Sequence, residues 1–151
     1  MRTMSTYRIK KLSMIDFNDE IHEFLHKSVV KLAALTGGDF SDAVNIDFLR
    51  IINTEHLFIC FRNDKPVGFL YASEYSSIFT RKVRILMQHS LYSEPRTRAA
   101  KLLLDHFLDF GKSRVDHVIT MITPYTNIKP CSLEKMGFKE LETLYRWKHG
   151  Q

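Results

Sequence analysis

The residues His22-Glu23-Phe24-Leu25-His26 carry the spacing H-E-x-x-H. Two histidines four apart on a helix face one side and can share a metal ion. The glutamate between them can activate a metal-bound water, which is the chemistry of a zinc hydrolase. That chemistry needs a third ligand. The extended form of the motif fails here, because Val29 and Leu32 stand where its glycine and third histidine belong. On a helical wheel the apolar stripe centres on Phe24, Leu25, Ser28 and Leu32, with His22 and His26 on its flanks and Glu23 turned toward solvent. The pentapeptide therefore reads as a coincidence on an amphipathic helix. A zinc hydrolase through His22, Glu23 and His26 is kept only as a remote alternative, and no metal is expected.

A second set of residues carries more weight. The segment SEPRTRAAKLLL places Arg96, Arg98 and Lys101 at or just before the first turn of a helix. A helix N-terminus already carries about half a positive charge, and each exposed cation there is disfavoured by roughly 0.3–1 kcal/mol. An anion resolves that conflict: the backbone N–H groups of Arg98, Ala99 and Ala100, with basic side chains around them, would form a phosphate cradle. The plainer reading is a solvated basic turn offset by Glu94 and Asp105. A strand, a phosphate cradle and a helix in succession imply a nucleotide-like ligand.

Composition bounds what can position these groups. The 151 residues are expected to form one domain, and 44% hydrophobic with 26% charged residues excludes disordered and collagen-like classes. No stretch approaches the roughly 18 apolar residues of a membrane span, and the start MRTMSTYRIKK lacks the apolar run of a secretory signal. A cytoplasmic location without membrane contact follows as the expectation. Cys60 and Cys131 are far apart in no C-x-x-C pattern, as suits buried thiols in a reducing compartment. The net charge of +5 favours an anionic partner, but the basic residues form no block, so a nucleic-acid arm is not indicated.

The elements read as follows. TYRIKKLS is a first strand, and helical periodicity runs from Ile15 to Leu35 through Phe17, Ile21, Phe24, Leu25, Ser28 and Leu32. TGGDFSD breaks it, and a second helix covers Ala43 to Asn53. Two apolar runs flank the turn Asn63-Asp64-Lys65-Pro66, giving a hairpin. The next strand, VRILMQHSLYS, alternates Ile85, Met87, His89 and Leu91 against Leu86, Gln88, Ser90 and Tyr92. A third helix spans Thr97 to Phe110 with Gly111 as its expected C-cap. DHVITMI is a buried strand, KPCSLEKM a short helix and KELETLYRWK a closing strand. The order β-α-α-β-β-β-α-β-α-β predicts an α/β domain with a mainly antiparallel, mixed and twisted sheet flanked by helices.

With these elements in order the chain resembles the GNAT superfamily of acetyl-coenzyme A-dependent N-acetyltransferases, most strongly from Leu57 to Trp147, in a divergent form similar to those of phages and mobile elements. FRNDKPVGFLYAS resembles the family's second and third strands, LYSEPRTRAAKLLLDHF its fourth strand, pyrophosphate loop and third helix, and LEKMGFKELETLYRW its C-terminal segment. The resemblance implies the GNAT fold and acetyl transfer from acetyl-CoA, as co-substrate, to a primary amine by direct attack in a ternary complex. The acceptor would be a small molecule or a protein, and dimers are common among such domains. It further implies that Arg96 and Thr97 to Lys101, including Arg98, Ala99 and Ala100, hold the pyrophosphate. Leu91, Tyr92 and Ser93 would flank the pantetheine arm and Asn127 would help to hold the cofactor. Met136-Gly137-Phe138 would close the far wall, and the loop LTGGDFSDAV, with Asp39, Phe40 and Asp42, would gate the acceptor site.

The sequence departs from the family at Arg98, where glycine is usual, at Pro95, where glutamine or arginine is usual, and at Leu133, which replaces the tyrosine that commonly protonates the departing thiolate. Ser132 and Tyr125 are the substitutes nearest in sequence, and proximity alone supplies much of such a barrier reduction. A catalytically silent GNAT-fold binding protein is the alternative. His89, on the fourth strand, is the candidate base, since an unperturbed imidazole titrates at about pH 6.5, and the plainer reading is a partner-satisfied histidine in a sheet. Trp147 is expected in core or edge-strand packing, and Cys131 as a buried thiol.

Overall fold

The computed structural model describes residues 4–36, 46–123, 126, 128–142, 145, 147 and 149. The chain runs β1 (Tyr7–Lys11), a 3-10 turn (Met14–Asp16), α1 (Asp19–Thr36), α2 (Phe48–Thr54), β2 (His56–Arg62), β3 (Lys65–Ser76), β4 (Arg84–Ser93), α3 (Ala99–Lys112), β5 (His117–Ile119) and α4 (Pro130–Lys135). One five-stranded sheet has the order β1-β2-β3-β4-β5, antiparallel except that β5 runs parallel to β4.

Local chemistry sets the boundaries. The first helix was expected from Ile15, but Asn18 Oδ1 accepts from the Ile21 N–H at 2.9 Å and starts α1 at Asp19, with Asp19 and Glu20 in its positive first turn. The preceding 3-10 turn is tied by Asp16, whose carboxylate takes Lys10 Nζ at 2.6 Å and Ser13 Oγ at 2.7 Å. Asp47 caps α2 through the Arg50 N–H at 3.0 Å. The hairpin between β2 and β3 turns through Asn63 (φ 50) and Asp64 (φ 67), the left-handed pair that a two-residue hairpin requires.

Two clusters fill the two faces. On one, Phe58, Cys60, Leu70, Ala72, Leu86 and Leu91 pack against Ala99, Leu103, Leu104 and Phe107 of α3, with Leu133 and Met136 of α4 at the margin. On the other, Leu57, Ile59, Phe61, Phe69 and Tyr92 pack against Ile21 and Leu25 of α1 and Phe48 and Ile52 of α2. Leu35, expected in the α1 stripe, is exposed at the last turn of the helix.

Several expectations need correction. Gly111 does not cap α3; it lies inside the helix, where a Cβ would come within 2.4 Å of Val118 Cγ2, so glycine is there for close helix–strand contact. The fifth strand is only His117–Ile119 rather than 116–122, because it pairs solely with Ile85–Met87. No strand forms over residues 139–142, and Trp147 is 77% exposed, so neither the closing strand nor the buried tryptophan is found among the described residues. Cys60 is buried as expected, whereas Cys131 is exposed. The expected alternation along β4 fails after Gln88. Tyr71 pairs with Ser90 but Ala72 with Gln88, so His89 is an extra, bulged residue. Beyond it the faces exchange: Leu91 joins Leu86 on the α3 side and Tyr92 turns to α1.

Candidate active site

β4 loses a neighbour part-way along its length. β3 pairs with β4 along its whole length, but β5 stops opposite Met87. From Gln88 to Ser93 the outer edge of β4 has no strand partner among the described residues, leaving a wedge between β4 and the chain after β5. Gln88 is buried at the mouth of that wedge and accepts a hydrogen bond from the Thr120 hydroxyl across it.

The wedge leads to the start of α3. The Val67 carbonyl, in a second bulge at the head of β3, accepts from the Glu94 N–H at 2.8 Å and fixes the turn after β4. Thr97 Oγ1 donates to the Glu94 carbonyl at 2.8 Å and lies 3.1 Å from Ser93 Oγ. Arg96 is held at φ 62, a left-handed conformation uncommon for a residue with a Cβ. The first intrahelical bond is from the Leu102 N–H to the Arg98 carbonyl (3.1 Å). Arg98 donates its own N–H to Tyr7 Oη at 3.3 Å, and Ala99 donates to Thr97 Oγ1 at 3.4 Å. The amides without an acceptor among the described residues are therefore Ala100 and Lys101, one position later than the sequence implied. Arg96, Arg98 and Lys101 are all exposed, and none forms an ion pair among the described residues. Glu94, the expected offset, instead faces Lys31 of α1 at 3.8 Å. Lys31 Nζ also donates to Tyr92 Oη (3.3 Å), and burial pushes that phenol above its ordinary range.

The residues expected to bind the cofactor, Leu91, Tyr92, Ser93, Arg96, Thr97, Arg98, Ala99, Ala100 and Lys101, are thus brought together at one end of β4. Leu91 and Tyr92 spend their side chains in the two cores, so only their backbone faces the wedge. His89 lies on the opposite, α1-side face at the bulge. Its Nε2 is hydrogen-bonded to Ser73 Oγ, and its ring sits 5.1 Å from that of Tyr71. Tyr71 in turn donates its hydroxyl to Glu55, at the end of α2. Sequence reasoning missed Tyr71 and Ser73, which become neighbours of His89 only through strand register, and Glu55, which joins them through Tyr71. Ser132 is half-buried on α4, and among the described residues nothing joins it to His89. Leu133 packs onto the α3 core. Tyr125, Asn127 and most of the LTGGDFSDAV loop (37–45) lie outside the described residues.

The zinc-hydrolase motif has other partners. Glu23 is bonded to Lys27 at 2.8 Å, and the His22 ring stands edge-on to Phe17 and Phe48, each at 5.8 Å. Among the described residues no three His, Cys, Asp or Glu side chains converge as metal ligands. A separate cleft of about 240 Å³ on the β1 edge, lined by Arg8, Lys10, Asp16 and Glu20, lies away from the wedge. Its cations already face acids, Lys10 on Asp16 at 2.6 Å and Arg8 3.9 Å from Asp64. Among the described residues no helix is long and apolar enough to cross a membrane.

No protein-family model matches the chain, and no curated protein matches it in sequence. Solved structures do match in three dimensions. A ribosomal-protein-alanine N-acetyltransferase from Brucella melitensis superposes with a TM-score of 0.66 at 17% identity, covering 96% of this chain and 100% of that one. A possible acetyltransferase from Clostridium difficile 630 gives 0.66 at 14%, covering 94% and 97%. An aminoglycoside N-acetyltransferase in complex with CoA gives 0.62 at 15%, covering 100% and 99%. The architecture is that of the GNAT acetyltransferases, a mixed five-stranded sheet flanked by helices.

Proposed function

We propose that this chain transfers an acetyl group from acetyl-coenzyme A to an amine. The observation that carries the reading is the pair of amides, Ala100 and Lys101, without an acceptor among the described residues, at the head of a 14-residue helix beside three exposed cations that form no ion pair among those residues, just past the end of β4. That donor set suits a pyrophosphate: two N–H groups aimed at the anion, the helix dipole behind them, and Arg96, Arg98 and Lys101 to neutralise charge. The unpaired edge of β4 from Gln88 to Ser93 offers backbone groups to an extended arm that carries peptide-like amides.

The chemistry falls at the bulge. The amine nitrogen attacks the thioester carbonyl carbon, the N–C bond forms, the C–S bond breaks and the amine sheds a proton. We assign that proton to His89, a reading supported by Ser73, which holds the ring through Nε2. Glu55 and Tyr71 line the same side and would draw in the cationic form of the acceptor. Leu133 has no proton to give and is committed to packing, which favours a reaction driven by proximity and orientation over one with a strong general acid.

Calorimetric titration with acetyl-CoA tests this, repeated with Arg98→Glu. Micromolar binding by the natural chain, weakened about tenfold or more by the charge reversal, is the expected result. No binding by the natural chain refutes the reading. Binding of acetyl-CoA with no transfer to any amine would instead establish the silent binding protein.

A further inference from the structure

We propose that the acceptor is a polypeptide segment lying extended along the open face of the β3–β4 hairpin, with an acidic side chain over its tip; this rests on the acetyl-transfer reading above. The helices on the α1 side cover only part of the sheet. Among the described residues they bury Leu57, Ile59 and Phe61 of β2, with Phe69 and Tyr92 at the far end and Tyr71 packed at the margin, and beyond it Ser73, Ile85 and Met87 are half-buried and Tyr75 is exposed. By register Tyr71, Ser73 and Tyr75 of β3 share that face with Met87 and Ile85 of β4, and His89 bulges onto it beside Tyr71. Alternate residues on a strand are about 6.7 Å apart, so the track from Tyr71 to Tyr75 is about 13 Å long. It continues into a turn where Ile78 and Phe79 are 89% and 91% exposed.

A track of aromatic and aliphatic side chains whose few hydroxyls, on Tyr71, Ser73 and Tyr75, already bond Glu55, His89 and Met87 is a poor match for a polyhydroxylated aminosugar, whose own hydroxyls would lose water against it without gaining partners. A peptide with apolar side chains at alternate positions matches both its spacing and its chemistry. Charge points the same way. Arg81 and Lys82, just past the tip, are exposed and form no ion pair among the described residues, whereas Arg84 is already bonded to Glu74. An acidic side chain on the peptide would answer them, while Glu55 at the other end answers its ammonium group.

The test measures acetyl transfer by the full chain with two acceptor sets. One holds eight-residue peptides with a free N-terminus, leucine or phenylalanine at alternate positions and aspartate near the far end. The other holds an aminoglycoside and a polyamine. The paired variant Ile78→Ser/Phe79→Ser alters exposed side chains only. The expected result is a kcat/KM for the peptides about tenfold or more above that for the small amines, and a comparable loss in the variant with acetyl-CoA affinity unchanged. Preference for the small amines overturns the inference. So does a silent variant, or acetyl-CoA binding with no peptide acetylated, and each of these leaves the cofactor reading standing. Failure of the natural chain to bind acetyl-CoA removes both.

Discussion

Gly68 of β3 lies so close to Ala99 of α3 that a Cβ on the glycine would stand 2.8 Å from the Ala99 Cβ and 2.8 Å from the Tyr92 carbonyl oxygen. The helix that carries the candidate anion cradle is thus seated directly on sheet backbone, with no side chain between. Its N-terminus is held against the end of β4 by this close fit together with the Thr97 hydroxyl, which bonds Ser93 and the Glu94 carbonyl.

Gly68→Ala is therefore expected to push α3 off the sheet at its first turn. Overpacking of this kind costs about 1–3 kcal/mol, because two of the near atoms, a Cβ and a carbonyl, cannot swing aside. Urea unfolding would read the loss of stability, and titration with acetyl-CoA would show weaker binding as Ala100 and Lys101 move. Unchanged stability and affinity together would refute the close seating.

Gly111 offers a cleaner contrast. Alanine is favoured over glycine inside a helix by up to about 1 kcal/mol. Here the new Cβ would meet Val118 Cγ2 at 2.4 Å and Leu86 Cδ2 at 3.1 Å, so the clash outweighs propensity. Gly111→Ala alone is expected to destabilise by about 1–3 kcal/mol. In a Val118→Ala background its cost will shrink to below about 1 kcal/mol, since the offending methyl is gone. Additive losses in the double variant would contradict the contact.

Stability is expected to fall with pH through His56. Its Nδ1 is buried without a partner and its ring packs on Phe110 at 5.0 Å. Burial, then Lys11 and Arg114, depress its pKa below 6.5, with Glu74 pulling the other way. Between the folded value and 6.5 the unfolded chain binds more protons, so the contribution is whole above 6.5 and lost as pH falls through that window. Burial pushes the Glu74 carboxyl up, but Arg84 and Arg114 outweigh it and hold it below 4.5, so its own contribution is lost only at more acid pH. Unfolding midpoints measured from pH 6.5 downward should drop less steeply in His56→Leu. An identical slope in the variant would falsify the assignment.

The two cysteines should separate by reactivity. Burial pushes the Cys60 thiol to about 11, while Cys131 is exposed on α4. Ellman's reagent will titrate Cys131 alone in the native chain, and both thiols only after unfolding. Two fast-reacting thiols in the native state would show that the β2 core opens.

The sequence by itself determined most of the scaffold. Helical and alternating periodicities, the Asn63-Asp64 turn and the order of the apolar runs placed β1 to β4, α1 and α3 within a few residues, because these patterns record which side of each element meets the core. The conflict of cations with a helix dipole was likewise local, and it pointed to the same helix start at which Ala100 and Lys101 have no backbone acceptor among the described residues. What only the tertiary structure decided depended on neighbours. The bulge at His89 arises from pairing with Tyr71 and Ala72, so the faces of β4 beyond it could not be read from its own alternation. Gly111 looked like a helix end because glycine permits both a cap and a close contact, and the nearness of Val118 is invisible along the chain. Tyr71 and Ser73 of β3 meet His89 of β4, and Glu55 at the end of α2 joins them through Tyr71; the β3–β4 meeting is set by hydrogen-bond register between strands, which no spacing in the sequence encodes.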